Sequence, residues 1–316
     1  LRVRAHIAGQ AQSEGDVFRS ILVPLDGSRF AEMAIPVARQ LARSAHARLR
    51  FVLVHEPAGT PVPASGAAPE AAGDGEVRAR EGAYLADTAA RLDAGDGSPD
   101  FEIRDGRPAE SLEQCIAERR PDLVVMATHG RGSVDPLWLG SVADYLLRTV
   151  AVPLLLVHPR NGDAVPPAAT GLRSVLAPVD LSEQSERILA PLAEFACLTQ
   201  AHVTLLHVVE MGDARRPFFD RRSSEELECA RREAQRQLDH LAEGLRARGI
   251  QVATRAIVAS DAARAILDHL TQGHSECLAV TTHGTGGYRD RLLGAVADKV
   301  IRGAMKPVLV LRPAAA

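Results

Sequence analysis

Lysine is almost missing from this chain: of 37 basic residues only Lys299 and Lys306 are lysines, and the rest are arginine. The arginines do not add up to a basic excess, because the formal net charge is −3. That balance excludes nucleic acid and anionic membrane surfaces as expected partners. Cysteine is sparse too. Cys115, Cys197, Cys229 and Cys277 never fall at C-x-x-C spacing, so incidental thiols of a reducing cytoplasm are expected rather than a metal or disulfide framework. No apolar run reaches the ~18 residues of a membrane span, and the first residues hold no apolar signal segment. The expected location is therefore cytoplasmic. Aromatic residues are only 3% of the chain; the single tryptophan, Trp138, is expected to pack its loop on the core. The Walker lysine motif and the dinucleotide G-x-G-x-x-G are both lacking, which sets aside those two nucleotide folds.

What the chain does have is a repeat. Thr128-His129-Gly130 returns as Thr282-His283-Gly284, Leu139-Gly140 as Leu293-Gly294, and Val142-Ala143-Asp144 as Val296-Ala297-Asp298. Pro153 returns as Pro307, and Pro24-Leu25-Asp26 as Pro178-Val179-Asp180, always at an offset of 154 residues. A period this long marks a duplicated domain rather than a solenoid. With 46% hydrophobic residues the chain can support two cores.

Within the first half, short apolar runs predict strands over 20–25, 49–55, 101–104, 122–127 and 153–157. Asp26-Gly27-Ser28 is turn and N-cap chemistry opening a helix through about 44; further helices are predicted over 76–92, from Pro108, and over 140–149. The Pro/Ala/Gly-rich stretch 57–75 is expected to be a loop. The second half repeats the order, with strands near 174–179, 202–209, 251–258, 276–281 and 307–311. Its helices are predicted near 182–199, 224–248, 261–271 and 293–303. Strands alternating with helices give an α/β fold of two tandem domains, each a five-stranded parallel sheet with helices on both faces. The expected boundaries are a flexible leader at 1–17, domains at 18–159 and 172–313, and a linker at 160–171 holding Gly162 and Pro166-Pro167. The apolar last strands, 153–157 and 307–311, would be exposed edges unless they cover one another, so an intrachain two-fold interface is expected.

In such a sheet, ligands bind beyond the carboxyl ends of the strands at a topological switch point. Asp26 and Asp180 lie there, as do the two Thr-His-Gly loops. The loop Thr128-His129-Gly130-Arg131-Gly132-Ser133 runs to Gly140-Ser141, which opens a helix. Glycines let backbone N–H groups approach an anion, and a helix N-terminus adds unpaired donors and partial positive charge. Ser141 offers a hydroxyl, and Asp26 can accept from a ribose hydroxyl or an adenine amine. A plain strand–helix turn would look the same, so on the residues alone both readings stand.

The runs Ile21-Leu22-Val23-Pro24-Leu25-Asp26-Gly27-Ser28, Met126-Ala127-Thr128-His129-Gly130-Arg131-Gly132, Leu139-Gly140-Ser141-Val142-Ala143-Asp144 and Val152-Pro153-Leu154-Leu155-Leu156-Val157 resemble the universal stress protein family. The second half resembles it at the matching points. The resemblance implies a Rossmann-like tandem protein of the stress response, with ATP or a related adenine nucleotide as ligand and room for Mg²⁺ beside it. It places the first site on Pro24, Leu25, Asp26, Ala127, His129, Gly130, Arg131, Gly132, Gly140, Ser141 and Val142. A second, weaker site falls on Asp180, Val208, Gly284 and Gly294.

The family's nucleotide loop is Gly, two residues, Gly, nine residues, then Gly-Ser or Gly-Thr. It falls on Ala127, Gly130, Gly140 and Ser141 in one half, and on Thr281, Gly284, Gly294 and Ala295 in the other. The phosphate side is thus expected to be better kept in the first domain, where Gly106 also stands against Ala259. The resemblance further implies an apolar residue against adenine just after the histidine ending strand two. Read that way, Val208 follows His207, whereas Glu56 follows His55 and would be a poor adenine contact.

No nucleophile with a base accompanies His129 or His283, so loop-shaping is expected of them rather than acid–base catalysis. His55 and His207 are expected to be hydrogen-bonded structural residues. Asp144 and Asp298 sit in first helical turns, where the dipole accounts for them. The segment from Asp213 to Arg222 holds four arginines around Phe218 and Phe219 and is expected to cover its own domain rather than a partner. Three functions follow: a regulator that binds an adenine nucleotide, a nucleotide-independent module acting through a protein partner, and, weakest, a slow nucleotide hydrolase. A non-enzymatic role is expected, with further self-association left open.

Overall fold

The computed structural model describes residues 18–57, 73–92, 99–129, 139–158, 172–211, 223–281 and 293–311. The expected leader at 1–17, the linker at 160–171, Trp138 and the segment from Asp213 to Arg222 lie outside them.

The first half forms strands β1 (Ser20–Leu25), β2 (Arg48–His55), β3 (Asp100–Asp105), β4 (Leu123–Ala127) and β5 (Leu154–Val157). Its helices are α1 (Arg29–Glu32), α2 (Ala34–Ala45), α3 (Asp74–Leu92), α4 (Pro108–Arg119) and α5 (Ser141–Thr149). The second half forms β6 (Ser174–Pro178), β7 (His202–Glu210), β8 (Val252–Ala259), β9 (Cys277–Thr281) and β10 (Val308–Leu311). With them come α6 (Glu183–Glu186), α7 (Leu189–Thr199), α8 (Ser224–Arg246), α9 (Ala262–Gln272) and α10 (Ala295–Gly303).

Two helices expected to be continuous are split. The first breaks at Met33, between α1 and α2, and its counterpart breaks between α6 and α7. Proline is the reason in both halves. Pro36 and Pro191 have no N–H to donate to residues Glu32 and Arg187 four positions back, so the ladder is interrupted there.

Each half builds a parallel sheet, and the two halves form one sheet of order β3-β2-β1-β4-β5-β10-β9-β6-β7-β8. Among the described residues its pairings are parallel except at the seam, where β10 runs antiparallel to β5 with Leu309 opposite Leu155. Alternate strand residues face opposite layers. Ile21, Val23, Leu155 and Leu309 join one core cluster with α2 and α7, while Leu22, Leu154, Leu156, Val308 and Val310 join the other with α4, α5, α9 and α10. Both clusters run through the seam, so the halves share their cores. Phe18 meets Phe195 across the junction edge to face, with centroids 6.5 Å apart.

The dipole account of Asp144 and Asp298 is incomplete. Arg302 bonds both Asp298 on its own helix and Asp144 across the seam, and Arg148 bonds Asp144 and lies 3.8 Å from Asp298. Burial raises the Asp144 carboxyl, but hydrogen bonds from Arg148 and Arg302 outweigh it and hold the group below its ordinary value. These four side chains remain about a third exposed, so the network is partly screened. A double-mutant cycle on Asp144→Ala and Arg302→Ala, followed by urea unfolding, should give a coupling of about 1 kcal/mol or less that shrinks in high salt. A larger, salt-independent coupling would count against this partly screened picture.

Candidate functional site

β1 and β4 are neighbours in the sheet, yet the chain leaves β1 toward the layer of α2 and reaches α5 in the opposite layer after β4. This is the first half's switch point, and the described residues of the expected site lie at the strand ends and helix start beside it. Pro24 and Leu25 end β1 and are buried. Asp26 follows, its Oδ1 accepting the Ser28 N–H at 2.8 Å, while Ser28 Oγ caps α1 by accepting from Ala31. Gly27 makes the turn possible with φ +78°.

Ala127 ends β4 and is buried. Thr128 then donates its N–H to the Val157 carbonyl, and the Gly140 N–H donates to the Thr128 carbonyl at 2.7 Å. That last bond clamps the start of α5 onto the end of β4. A Cβ on Gly140 would lie 2.9 Å from the same oxygen, so the approach requires glycine. Ser141 is exposed at the first position of α5 and Val142 is half-buried behind it. The first N–H groups of a helix have no partner within it, and Gly140 brings no side chain to cap them. An anion fits such an end. Asp144, one turn on, does not spoil it, because its charge is tied to Arg148 and Arg302.

His129 turns inward. It is buried, with Nδ1 2.8 Å from Thr128 Oγ1, which suits loop-shaping. Beside it lies a histidine that sequence reasoning passed over. His158, just after β5, is buried with no partner for Nδ1 among the described residues. Burial, with His129 adding to it, pushes its imidazole down to about 4, and a hydrogen bond to the Lys306 backbone only partly opposes this. Gly130, Arg131 and Gly132 lie outside the described residues, as do His283 and Gly284.

In the second half, Asp180 is exposed after β6 and accepts both the N–H and the hydroxyl of Ser182. Gly294 starts α10 with nearly the backbone angles of Gly140 (φ −58°, ψ 142° against φ −58°, ψ 150°). The side chains have changed around it. Ala295 stands where Ser141 would be, and Leu181 takes Gly27's place at φ +61°, a region costly for a branched side chain.

The expected weakness of the first site at Glu56 is overturned by the strand register. Pro24 pairs with Val52 and its counterpart Pro178 with Leu206, so Val208 corresponds to Val54, and Glu56 to Glu210. Val54 and Val208 are both half-buried against the same core, while Glu56 and Glu210 are both exposed, Glu210 accepting the Ala262 N–H at the start of α9. The two histidines are not counterparts at all. His55 is buried between the carboxylates of Glu81 (2.7 Å) and Asp74 (3.2 Å), fastening α3 to β2. His207 bonds the Val179 carbonyl at 2.8 Å. Matching by histidine identity misled; the 154-residue offset, applied to Val208, would have found Val54.

Among the described residues no group of three or more His, Cys, Asp or Glu side chains is arranged to hold a metal ion, and no helix is long and apolar enough to cross a membrane. Cys115 and Cys277 are buried, and burial pushes the Cys277 thiol up to about 12; Cys197 and Cys229 are exposed.

The universal stress protein family model matches residues 18–158 and again 171–312. A universal stress protein of Mycobacterium tuberculosis is 28% identical over 313 residues, covering 95% of this chain and 98% of the relative. One from Thermus aquaticus is 34% identical over 147 residues, which is 45% of this chain and all of the relative. In fold, the chain is similar to a universal stress protein from Archaeoglobus fulgidus with a TM-score of 0.66 at 17% identity, covering 94% of this chain and 97% of that one. Two consecutive Rossmann-like units with this loop chemistry define a tandem architecture. The chain belongs to the universal stress protein family.

Proposed function

We propose that this protein is a stress-response regulator, working in the cytoplasm, that binds an adenine nucleotide, ATP or a close relative, in its first domain over 18–159. The observation that carries the reading is the convergence at one switch point of Asp26, the half-buried Val54 and an uncapped helix start at Gly140 with Ser141 exposed beside it. Val54 supplies an apolar contact for the base, Asp26 an acceptor for its amine or for the ribose, and the α5 end donors for phosphate. Gly130, Arg131 and Gly132 would complete the loop over the phosphates. Any Mg²⁺ would enter with the phosphates rather than through a preformed protein site. Binding would act by changing the shape or partners of the module, with no catalytic group assigned.

The second domain, over 172–313, favours the other reading, a module that works through protein contact. Ala295 has no hydroxyl, Thr281 is bulkier than Ala127, and Leu181 stiffens a turn that Gly27 leaves open. Calorimetric titration with ATP should therefore give one nucleotide per chain. Ser141→Ala should weaken it by about 1–2 kcal/mol, the scale of one hydrogen bond to a charged group. Two equal sites, or full affinity in Ser141→Ala together with Gly130→Val, would refute the assignment.

A further inference from the structure

At the opposite end of the strands, beyond their amino ends, a groove of about 600 Å³ opens at the junction of the two halves. Its volume is that of small-molecule sites. Ile116, Val150, Val152 and Pro153 wall it from the first half, and Pro191 and Glu194 of α7 from the second. The pseudo-two-fold supplies a direct comparison. The corresponding groove of the second half is smaller, about 270 Å³, and Lys306 lies in it. The Lys306 ammonium donates to the carbonyls of Leu270 and Ser275, each at 2.7 Å, with the Gly273 carbonyl at 3.5 Å.

At the 154-residue offset, Lys306 corresponds to Val152, Leu270 to Ile116, and Ser275 to Pro121. Ile116 and Pro121 both line the open groove, but no ammonium is built into it. Carboxylates gather there instead. Asp122 is used by the backbone N–H groups of Arg19 and Ser20, and Glu113 by the Tyr145 hydroxyl. Glu194, half-buried, has neither a hydrogen bond nor an ion pair among the described residues, and burial pushes its carboxyl up against the opposing pull of Arg248. Of the nearby cations, Arg120 lines the groove and is exposed, and Arg248, also exposed, reaches Glu194 only electrostatically.

We infer that the junction groove binds a small aliphatic amine, its ammonium seated against Glu194 and its stem along Val150, Val152 and Pro153. A desolvated carboxylate gains most from a cation that also fills apolar space, since hydrogen bonds between charged groups are the strong ones. The second half illustrates the chemistry with its own side chain. Because α7 forms one wall, an occupied groove also braces the domain junction.

Calorimetric titration of the full chain with n-pentylamine should show one saturable site, and sodium pentanoate, with the opposite charge, should show none. Glu194→Gln removes the charge without touching the core and should weaken pentylamine about tenfold or more. Val152→Lys installs the second half's ammonium and should abolish binding. Equal binding of pentanoate would overturn the inference, as would undiminished amine affinity in Glu194→Gln. Self-association of the native chain relieved by Val152→Lys would also overturn it, by making a second copy the occupant.

Discussion

Leu155→Ala should destabilise the whole molecule, not one half of it, by about 2–5 kcal/mol, the range for truncating a fully buried leucine. Leu155 and Leu309 are both wholly buried and stand opposite each other in the antiparallel pairing of β5 with β10. They belong to a single core cluster that holds residues of α2 from one half and α7 from the other. Two consequences can be read in urea unfolding followed by far-UV circular dichroism. First, unfolding should be one transition that moves as a unit. Second, Leu155→Ala and Leu309→Ala should be non-additive by about 0.5–3 kcal/mol, because each truncation opens space beside the other. Additive losses, or a second transition that ignores Leu155→Ala, would mean that the halves fold as separate bodies.

Acid should weaken the protein through His158. Its imidazole is held neutral by burial, down to about 4, against an ordinary value of 6.5. The unfolded chain therefore takes up this proton first as the pH falls below about 6.5, and the folded chain follows only near pH 4. Stability contributed by the neutral ring is complete above pH 6.5, declines through this window and is gone below it. At about 1.4 kcal/mol per pKa unit, the loss comes to roughly 3 kcal/mol. Unfolding free energies at pH 7, 5.5 and 4 should fall more steeply in the native chain than in His158→Gln. Parallel slopes would remove His158 as the source. The ring lies against His129 and the Lys306 backbone, so acid should also loosen the contact between the end of β4 and the seam.

Much of this fold can be read from sequence because its central strands β1, β4, β5, β9 and β10 are apolar runs and because the order of elements appears twice. The loop chemistry at Gly140 and Ser141 was visible for the same reason. What was hidden depends on distance. Asp144 shows its i+4 partner Arg148 in the local pattern, but nothing local points to Arg302, 158 residues away across the seam. His158 follows a strand like any other residue until folding places it against His129. The junction groove has no motif at all, since its lining is drawn from α4, α5 and α7, which lie far apart in the chain. The splits at Pro36 and Pro191 were legible in principle, because a missing N–H can be counted in advance. Glu56 does not correspond to Val208, because the pairings of Pro24 with Val52 and of Pro178 with Leu206 put Val54 at that position.

The seam between β5 and β10 also sets how this molecule can change. When two identical chains meet on a two-fold axis, every substitution strikes both sides at once, and a change must suit its own mirror position. Here the two sides are encoded separately and cannot part on dilution, because they are covalently joined. One copy can keep Gly27 while the other takes Leu181, and one groove can be filled by Lys306 while Val152 leaves the other open. A single polypeptide can thus hold two different ends on one sheet, a division of labour that a symmetric pair of identical chains could not encode.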